Sequence, residues 1–290
     1  MPNINTLVKD IMDVVDGKGG WDQAITDYLS ETIAQVASER FAGEERPRDT
    51  LSLSGIGKPC ERQLWSRVNE PYGKAEVLGA ELKGTFFYGD LLEALVIALA
   101  KAAGHDVQGE QDVLYVNGIK GHRDCVIDGV TIDVKSASDF SFEKFKRGDI
   151  KNNDPFGYMS QLSSYTYAGK DDPLVTEKNK AAFLVIKKNR FELCLDVHDF
   201  TDRLPLKEAE VQHKKDMVKG PMPPVPAAAQ PVPQSKTSPN MKLSTLCTYC
   251  FRKKHCWPEM RTFQYSGGPS HLVKVVKTPN VPEINKELWK

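Results

Sequence analysis

Apolar residues recur at helical spacing in two runs near the start of the chain, Leu7, Ile11, Val14 and Val15, then Ile25, Tyr28, Leu29, Ile33 and Val36, with Gly17, Gly19 and Gly20 between them. The pattern predicts two packing helices with no chemistry of their own. A third helical run carries Phe86, Phe87, Leu91, Leu92, Leu95, Val96 and Leu99 and stops at Gly104. Strand-like runs follow at residues 107–116, 123–127, 130–134, 182–187 and 191–197, with helical runs at 156–168 and 199–219. Another helix is expected to begin at Cys60 and run through Gln63, Leu64 and Trp65. Just before it, Ser54-Gly55-Ile56-Gly57-Lys58 lacks the spacing of a phosphate loop and no strand leads into it, so it reads as a turn. Strands mixed with helices in this way predict an α/β fold with a mixed central sheet flanked by helices.

The most informative stretch is 121–135. Two β-rich runs flank Asp128-Gly129, and a two-residue Asp-Gly connection is a strong hairpin signal that also fixes the register. Ile127 then pairs with Val130, Val126 with Thr131, Cys125 with Ile132 and Asp124 with Asp133. One face carries His122, Asp124, Val126, Thr131, Asp133 and Lys135, and the other Arg123, Cys125, Ile127, Val130, Ile132 and Val134. Apart from Arg123 at its end, the second face is apolar and reads as core. On the first, two carboxylates with Cβ atoms roughly 5 Å apart repel each other. A hard divalent cation with oxygen ligands would compensate, and Lys135, roughly 6 to 7 Å further along the strand face, would stand beside it. An isolated Asp-x-Lys is usually an ordinary solvent-facing strand; opposition with Asp124 is what lifts this one above that reading. Glu93, on the third helix, is an exposed carboxylate unless something nearby needs a third acidic ligand, and the hairpin does.

Composition constrains the rest. With 40% hydrophobic and 27% charged residues the 290-residue chain has an ordinary globular balance and enough length for a core without covalent staples. Thirty-nine basic residues match 39 acidic ones, so attraction to a polyanion must come from local clusters, as at Lys144, Lys146, Arg147 and Lys151, at Lys187, Lys188 and Arg190, or at Arg252, Lys253 and Lys254. The first of these lies in residues 138–155, read as a loop in which Phe140, Phe142 and Phe145 are interleaved with cations. That mixture suits a path for single-stranded nucleic acid, or a loop pinned to the core by its rings. Tyr158, Gln161 and Tyr165 share a face of the helix that follows. The start of the chain lacks a basic and then apolar leader, and no stretch is long enough to span a membrane, so a cytoplasmic location is expected.

Seven prolines between residues 220 and 240 predict a linker or an extended strap. Beyond them Cys247, Cys250 and Cys256 form C-x2-C-x5-C, three thiolates that need a fourth ligand from elsewhere. Cys60 would supply it from far upstream, or His255 would close a local zinc knuckle; spacing alone does not separate the two. Cys125 and Cys194 read as core.

In order along the chain, Gly89-x3-Glu93, Asp124, Asp133-Val134-Lys135 and Gln161-x3-Tyr165, bracketed by Cys60 and C-x2-C-x5-C, resemble the RecB-type branch of the PD-(D/E)xK nucleases. More narrowly they are similar to the iron-sulfur exonucleases: CRISPR-associated RecB-like enzymes, the nuclease domain of AddB, and phage relatives. The resemblance covers roughly residues 50–260. It implies a restriction-endonuclease-like core with an N-terminal helical region and an iron-sulfur lobe. The divisions are 1–50 helical, 51–220 nuclease core, 221–240 linker, 241–262 cysteine segment completing its site with Cys60, and 263–290 a tail without assigned role. It implies that Glu93, Asp124 and Asp133, with the main-chain carbonyl of Val134, bind Mg²⁺ or Mn²⁺, that Lys135 orients or activates the water, and that Gln161 and Tyr165 position DNA or the lysine. Many relatives have His where this chain has Glu93, which leaves one or two metal ions open. Cys60, Cys247, Cys250 and Cys256 would hold a [4Fe-4S] cluster, with zinc as the alternative. The implied activity is a DNA exonuclease acting on single strands or duplex ends with 5′ to 3′ bias, against two rivals: a structure-specific endonuclease using the same site, and a non-catalytic zinc-containing DNA-binding protein.

Overall fold

Five strands form the central sheet of the computed structural model, which describes residues 2–42, 49–70 and 80–284. Residues 43–48 at the end of the expected N-terminal region and 285–290 of the tail lie outside the described residues. In chain order, α1 (Leu7–Val15) and α2 (Gln23–Phe41) precede α3 (Leu53–Ile56), α4 (Glu61–Asn69) and the long α5 (Ala80–Ala102). Then come β1 (Val107–Gln108), β2 (Val113–Val116), β3 (Ile119–His122), β4 (Cys125–Ile127), β5 (Val130–Ala137), α6 (Asp139–Lys146), α7 (Tyr158–Ala168), β6 (Lys180–Lys187), β7 (Leu193–Asp199) and α8 (Leu204–Met217). A C-terminal lobe holds β8 (Val232–Pro233), β9 (Met241–Lys242), α9 (Thr245–Thr248), α10 (Lys253–Cys256), β10 (Arg261–Tyr265) and β11 (Gly268–Lys274). No helix among the described residues is long and apolar enough to cross a membrane.

The main sheet runs β1-β4-β5-β6-β7, antiparallel except for the parallel pair β5 and β6, whose crossover carries α6 and α7. It is the mixed sheet flanked by helices that the sequence predicts. Asp128 and Gly129 both have positive φ, 49° and 78°, as a tight two-residue hairpin turn requires. The pairs Ile127 with Val130, Val126 with Thr131 and Cys125 with Ile132 follow in the expected register. Alternation then sorts the side chains between two cores. Cys125, Ile127, Val130, Ile132 and Val134 pack with Ala182, Leu184 and Ile186 under α1 and α5. On the other face Ala181, Phe183 and Val185 pack with Phe142, Phe145, Met159 and Leu162 from α6 and α7. Each fully buried Leu or Ile contributes about 1.5–3 kcal/mol, so Leu184, wholly enclosed in the central strand, is a main support.

Several expectations change. The run 107–116 is broken by a bend where Gly109 and Gln111 have φ of 59° and 54°, and β2 pairs with β3 in a separate two-stranded ribbon. The strand expected over 123–127 therefore begins only at Cys125. His122 belongs to the ribbon, while Arg123 is fully buried in ion pairs with Asp112 and Asp172, each 2.7 Å. The polar face of the hairpin is itself enclosed, with Thr131 and Asp133 fully buried. Residues 138–155 are largely α6 and a 3-10 turn, because Phe142 and Phe145, three apart on one helical face, drive into the core and leave Phe140 exposed. The proline-rich stretch packs Ala229 against Leu243, Cys247 and Met260 and pairs β8 with β9, so it is a strap across the lobe and not a free linker. Residues 263–284 complete the lobe's sheet, β10-β11-β9-β8.

Candidate active site and cysteine pocket

The two hairpin acids meet at the end of the ladder by a route that backbone pairing alone does not supply. Main-chain pairing of β4 with β5 stops at Cys125. The Asp124 side chain takes the next position, its Oδ2 accepting from the Val134 main-chain N–H at 2.7 Å. Val134 itself points into the core, so its main chain alone faces Asp124. Asp133 is completely buried and is held from two sides: Oδ1 accepts from Gln161 Nε2 of α7 at 2.9 Å, and Oδ2 pairs with Lys135 Nζ at 2.5 Å. Glu93 reaches the same region from α5, with Oε1 accepting from Gln111 Nε2 at 2.9 Å. A cleft beside α2 is lined by both Glu93 and Asp124, with Arg40, Asp90 and Gln111.

Electrostatics show that the three acids share one environment. Burial raises the Glu93 carboxyl to about 7, with Asp133 and Asp90 raising it further against the opposing pull of Lys135. Asp124 is pushed well above the usual carboxylate range by burial and then by Glu93 and Asp133, and Asp133 is raised by burial against the pull of Lys135. For Lys135 burial acts downward, but Asp133 and Asp124 outweigh it and hold the ammonium above its ordinary range. It therefore stays protonated and acts as a fixed cation. Its Nζ lies 5.1 Å from the ring centre of Tyr158, a cation–π contact.

Tyr165 occupies a different place from the one expected for a DNA-positioning group. It is buried among Leu53, Ile56 and Val116, and it touches the site through Gln161. Two residues were not anticipated. Gln111 bridges the site, its main-chain N–H donating to Asp124 O at 3.1 Å while its side chain holds Glu93. Its signal was conformational, a non-glycine residue at positive φ. Tyr158 was legible only as a neighbour of Gln161 on the helix face.

The donor set fits a divalent cation. Fully ionised, three carboxylates against one ammonium would leave two negative charges in a desolvated notch, which is why the carboxyls are raised without a cation, and all the carboxylate donors are oxygens. Among the described residues no group of three or more His, Cys, Asp or Glu already forms a metal cage, and here protein donors take up the carboxylate oxygens. The four cysteines of the second constellation line one cavity. Cys60 caps the start of α4 and meets Cys247, Cys250 and Cys256, with Arg62 and Arg252 in the wall. His255 is exposed and is not part of that wall. Burial raises the thiols of Cys60 and Cys247, and that of Cys250 to about 11, to which the neighbouring cysteines add. Thiolates there call for a cation, and sulfur ligands suit zinc or iron. Cys125 and Cys194 sit in the two separate cores.

No family model matches the chain, and no curated protein matches it in sequence. Two solved structures show a distant likeness. The crystal structure of SSO0001 is 15% identical, with 79% of this chain and 94% of that one covered and a TM-score of 0.39. That of an alkaline exonuclease, LHK-Exo from Laribacter hongkongensis, is 13% identical, with coverage of 63% and 92% and a TM-score of 0.35.

Proposed function

We propose that this protein is a divalent-metal-dependent deoxyribonuclease, an exonuclease that hydrolyses phosphodiester bonds from single-stranded DNA or duplex ends, working 5′ to 3′. The observation that carries the reading is the convergence of Glu93, Asp124 and Asp133 with a permanently charged Lys135 at the end of the β4–β5 ladder. Glu93, Asp124 and Asp133, with the Val134 carbonyl, would hold Mg²⁺ or Mn²⁺. When bound, the ion supplies Lewis-acid neutralisation of the scissile phosphate and a more acidic water.

The remaining steps belong to the chain's own side chains. Gln161 fixes Asp133 in orientation by donating to one of its oxygens. Lys135, steadied over Tyr158, places positive charge where negative charge grows on the phosphate oxygens as the bond is attacked. Its raised pKa makes it unsuited to removing a proton from water, so its role is electrostatic. In the second pocket Cys60, Cys247, Cys250 and Cys256 hold a [4Fe-4S] cluster in this reading; a brown, iron-containing protein purified without oxygen supports it, and a colourless one with stoichiometric zinc replaces it with a zinc site.

End-labelled linear single strands, linear duplex and a covalently closed single-stranded circle, each with Mg²⁺ or EDTA, provide the test. Linear substrates should be degraded only with metal, and Asp133→Ala should lower the rate by at least about 10²-fold. Wild-type cutting by that variant would sink the site assignment. Cutting of the closed circle would replace the exonuclease with an endonuclease.

A further inference from the structure

The turn at Gly57-Lys58 has no part in the metal site, yet it lies beside it. Gly57 and Gly157 meet back to back: a Cβ on Gly157 would stand 2.0 Å from Gly57 O, and one on Gly57 2.3 Å from Gly157 O. Gly157 also has φ of 79°, and Asp154 pins the same turn by accepting from the N–H groups of Gly157 and Met159, both at 2.8 Å. This contact places Lys58 beside Phe156, the ring that precedes Gly157. Lys58 Nζ lies 6.0 Å from the centre of Phe156, and Tyr158 on the other side carries Lys135 at 5.1 Å.

The rings continue outward. Tyr158 to Phe156 is 5.4 Å between centroids, and Phe156 to Tyr249 is 6.2 Å, with tilts of 32° and 46°. Tyr249 lies between Cys247 and Cys250 and is 69% exposed, although it is large and apolar in body. Among the described residues Lys58 has no carboxylate within ion-pair distance, although it is half-buried. Lys58 thus presents an ammonium beside Phe156, and Tyr249 keeps most of its ring open to solvent beyond its contact with Phe156.

We infer that Lys58, Phe156 and Tyr249 form a track for an unpaired DNA strand, in which Lys58 takes a backbone phosphate and Tyr249 stacks a base, leading the strand between the cysteine lobe and the metal site. Phosphate contact interleaved with ring stacking is how single strands are held without sequence preference. Duplex DNA keeps its bases stacked inside and gains little from an exposed ring. The inference rests on the nuclease reading for its direction toward Lys135, but the binding itself is separable from cutting.

The test is fluorescence anisotropy of a labelled oligothymidylate and of a blunt duplex with the full chain in EDTA, where binding proceeds without cleavage. Tyr249→Ala should weaken oligothymidylate binding about tenfold and leave the duplex unchanged, and Tyr249→Phe should restore it. Lys58→Gln should reduce the slope of log affinity against log salt by about 0.7, the share of one phosphate on a single strand. Unchanged affinities in Tyr249→Ala and Lys58→Gln would overturn the track, as would equal loss on duplex and single strand. Parallel digestion in Mg²⁺ separates the two failures. Asp133-dependent cutting with unaltered binding in the variants removes the track alone, whereas wild type that binds in this pattern without cutting removes the nuclease reading alone.

Discussion

Burial raises the carboxyls of Glu93, Asp124 and Asp133, and neighbouring carboxylates add to the rise at Glu93 and Asp124, which sets the sign of the pH dependence. Carboxyl groups whose folded pKa lies above the unfolded value bind more protons in the folded state, so they favour folding at low pH and that favour is lost as pH rises. For Glu93 the window ends near its value of about 7. Metal-free protein should therefore lose stability between about pH 5 and pH 7, and the gain in Tm from Mn²⁺ should grow from pH 5 to pH 8. Scanning calorimetry in EDTA and in Mn²⁺ checks this; a gain that does not vary with pH would mean that the ion binds elsewhere. Asp124→Asn keeps an oxygen to accept from Val134 N–H and removes a carboxyl that burial and its neighbours make costly to ionise. Its Tm in EDTA should rise by about 2–4 °C, for roughly 1 kcal/mol, while DNA cleavage is lost. A fall in metal-free stability would show that the notch is not short of positive charge.

At the scale of elements, the turns decide where the groups end up. Asp128-Gly129 was legible because two positive-φ positions are written in the residue types, and the pairing around them followed. Asn117-Gly118 carries the same chemistry, with φ of 49° and 77°, and draws residues 119–122 back onto β2. Reading only the first turn assigned Arg123 and His122 to the wrong strand. The positions of Gln161 and Tyr158 were not local information: both come from the helix of the β5–β6 crossover, and only the packed sheet brings them to Asp133 and Lys135. The C-terminal sheet escaped notice for a third reason, since β11 begins Gly-Pro and shows no clean alternation of burial. Backbone contact at Gly57 and Gly157 has a measurable cost. Gly157→Ala forces a Cβ into the Gly57 carbonyl at positive φ, so urea denaturation should show a loss of about 1–3 kcal/mol. Gly267→Ala, where nothing lies within 4 Å, should stay within about 0.5 kcal/mol of wild type.

Across the whole molecule, the cysteine pocket is a place where the lobe and the core meet. Cys60 stands at the start of α4, whereas Cys247, Cys250 and Cys256 belong to the lobe. Around them Arg252 pairs with Glu70 at 2.5 Å, and Trp65 Nε1 donates to Gly220 O at 2.7 Å. A metal or cluster shared by the four thiolates would act as a cross-link between distant parts of the chain, removing conformational freedom from the unfolded state. Cys60→Ser should then cost on the order of 4 kcal/mol, the scale of closing a long loop, and should release the metal or iron without exposing the main sheet. Limited proteolysis distinguishes this from general unfolding. The variant should be cut first within the strap at residues 221–240, where Ala229 packs against Cys247, leaving a core fragment that retains β1, β4, β5, β6 and β7. If Cys60→Ser keeps a full complement of metal and an uncut strap, the fourth ligand lies within the lobe itself, and Cys60 is only a half-buried thiol at the start of a helix.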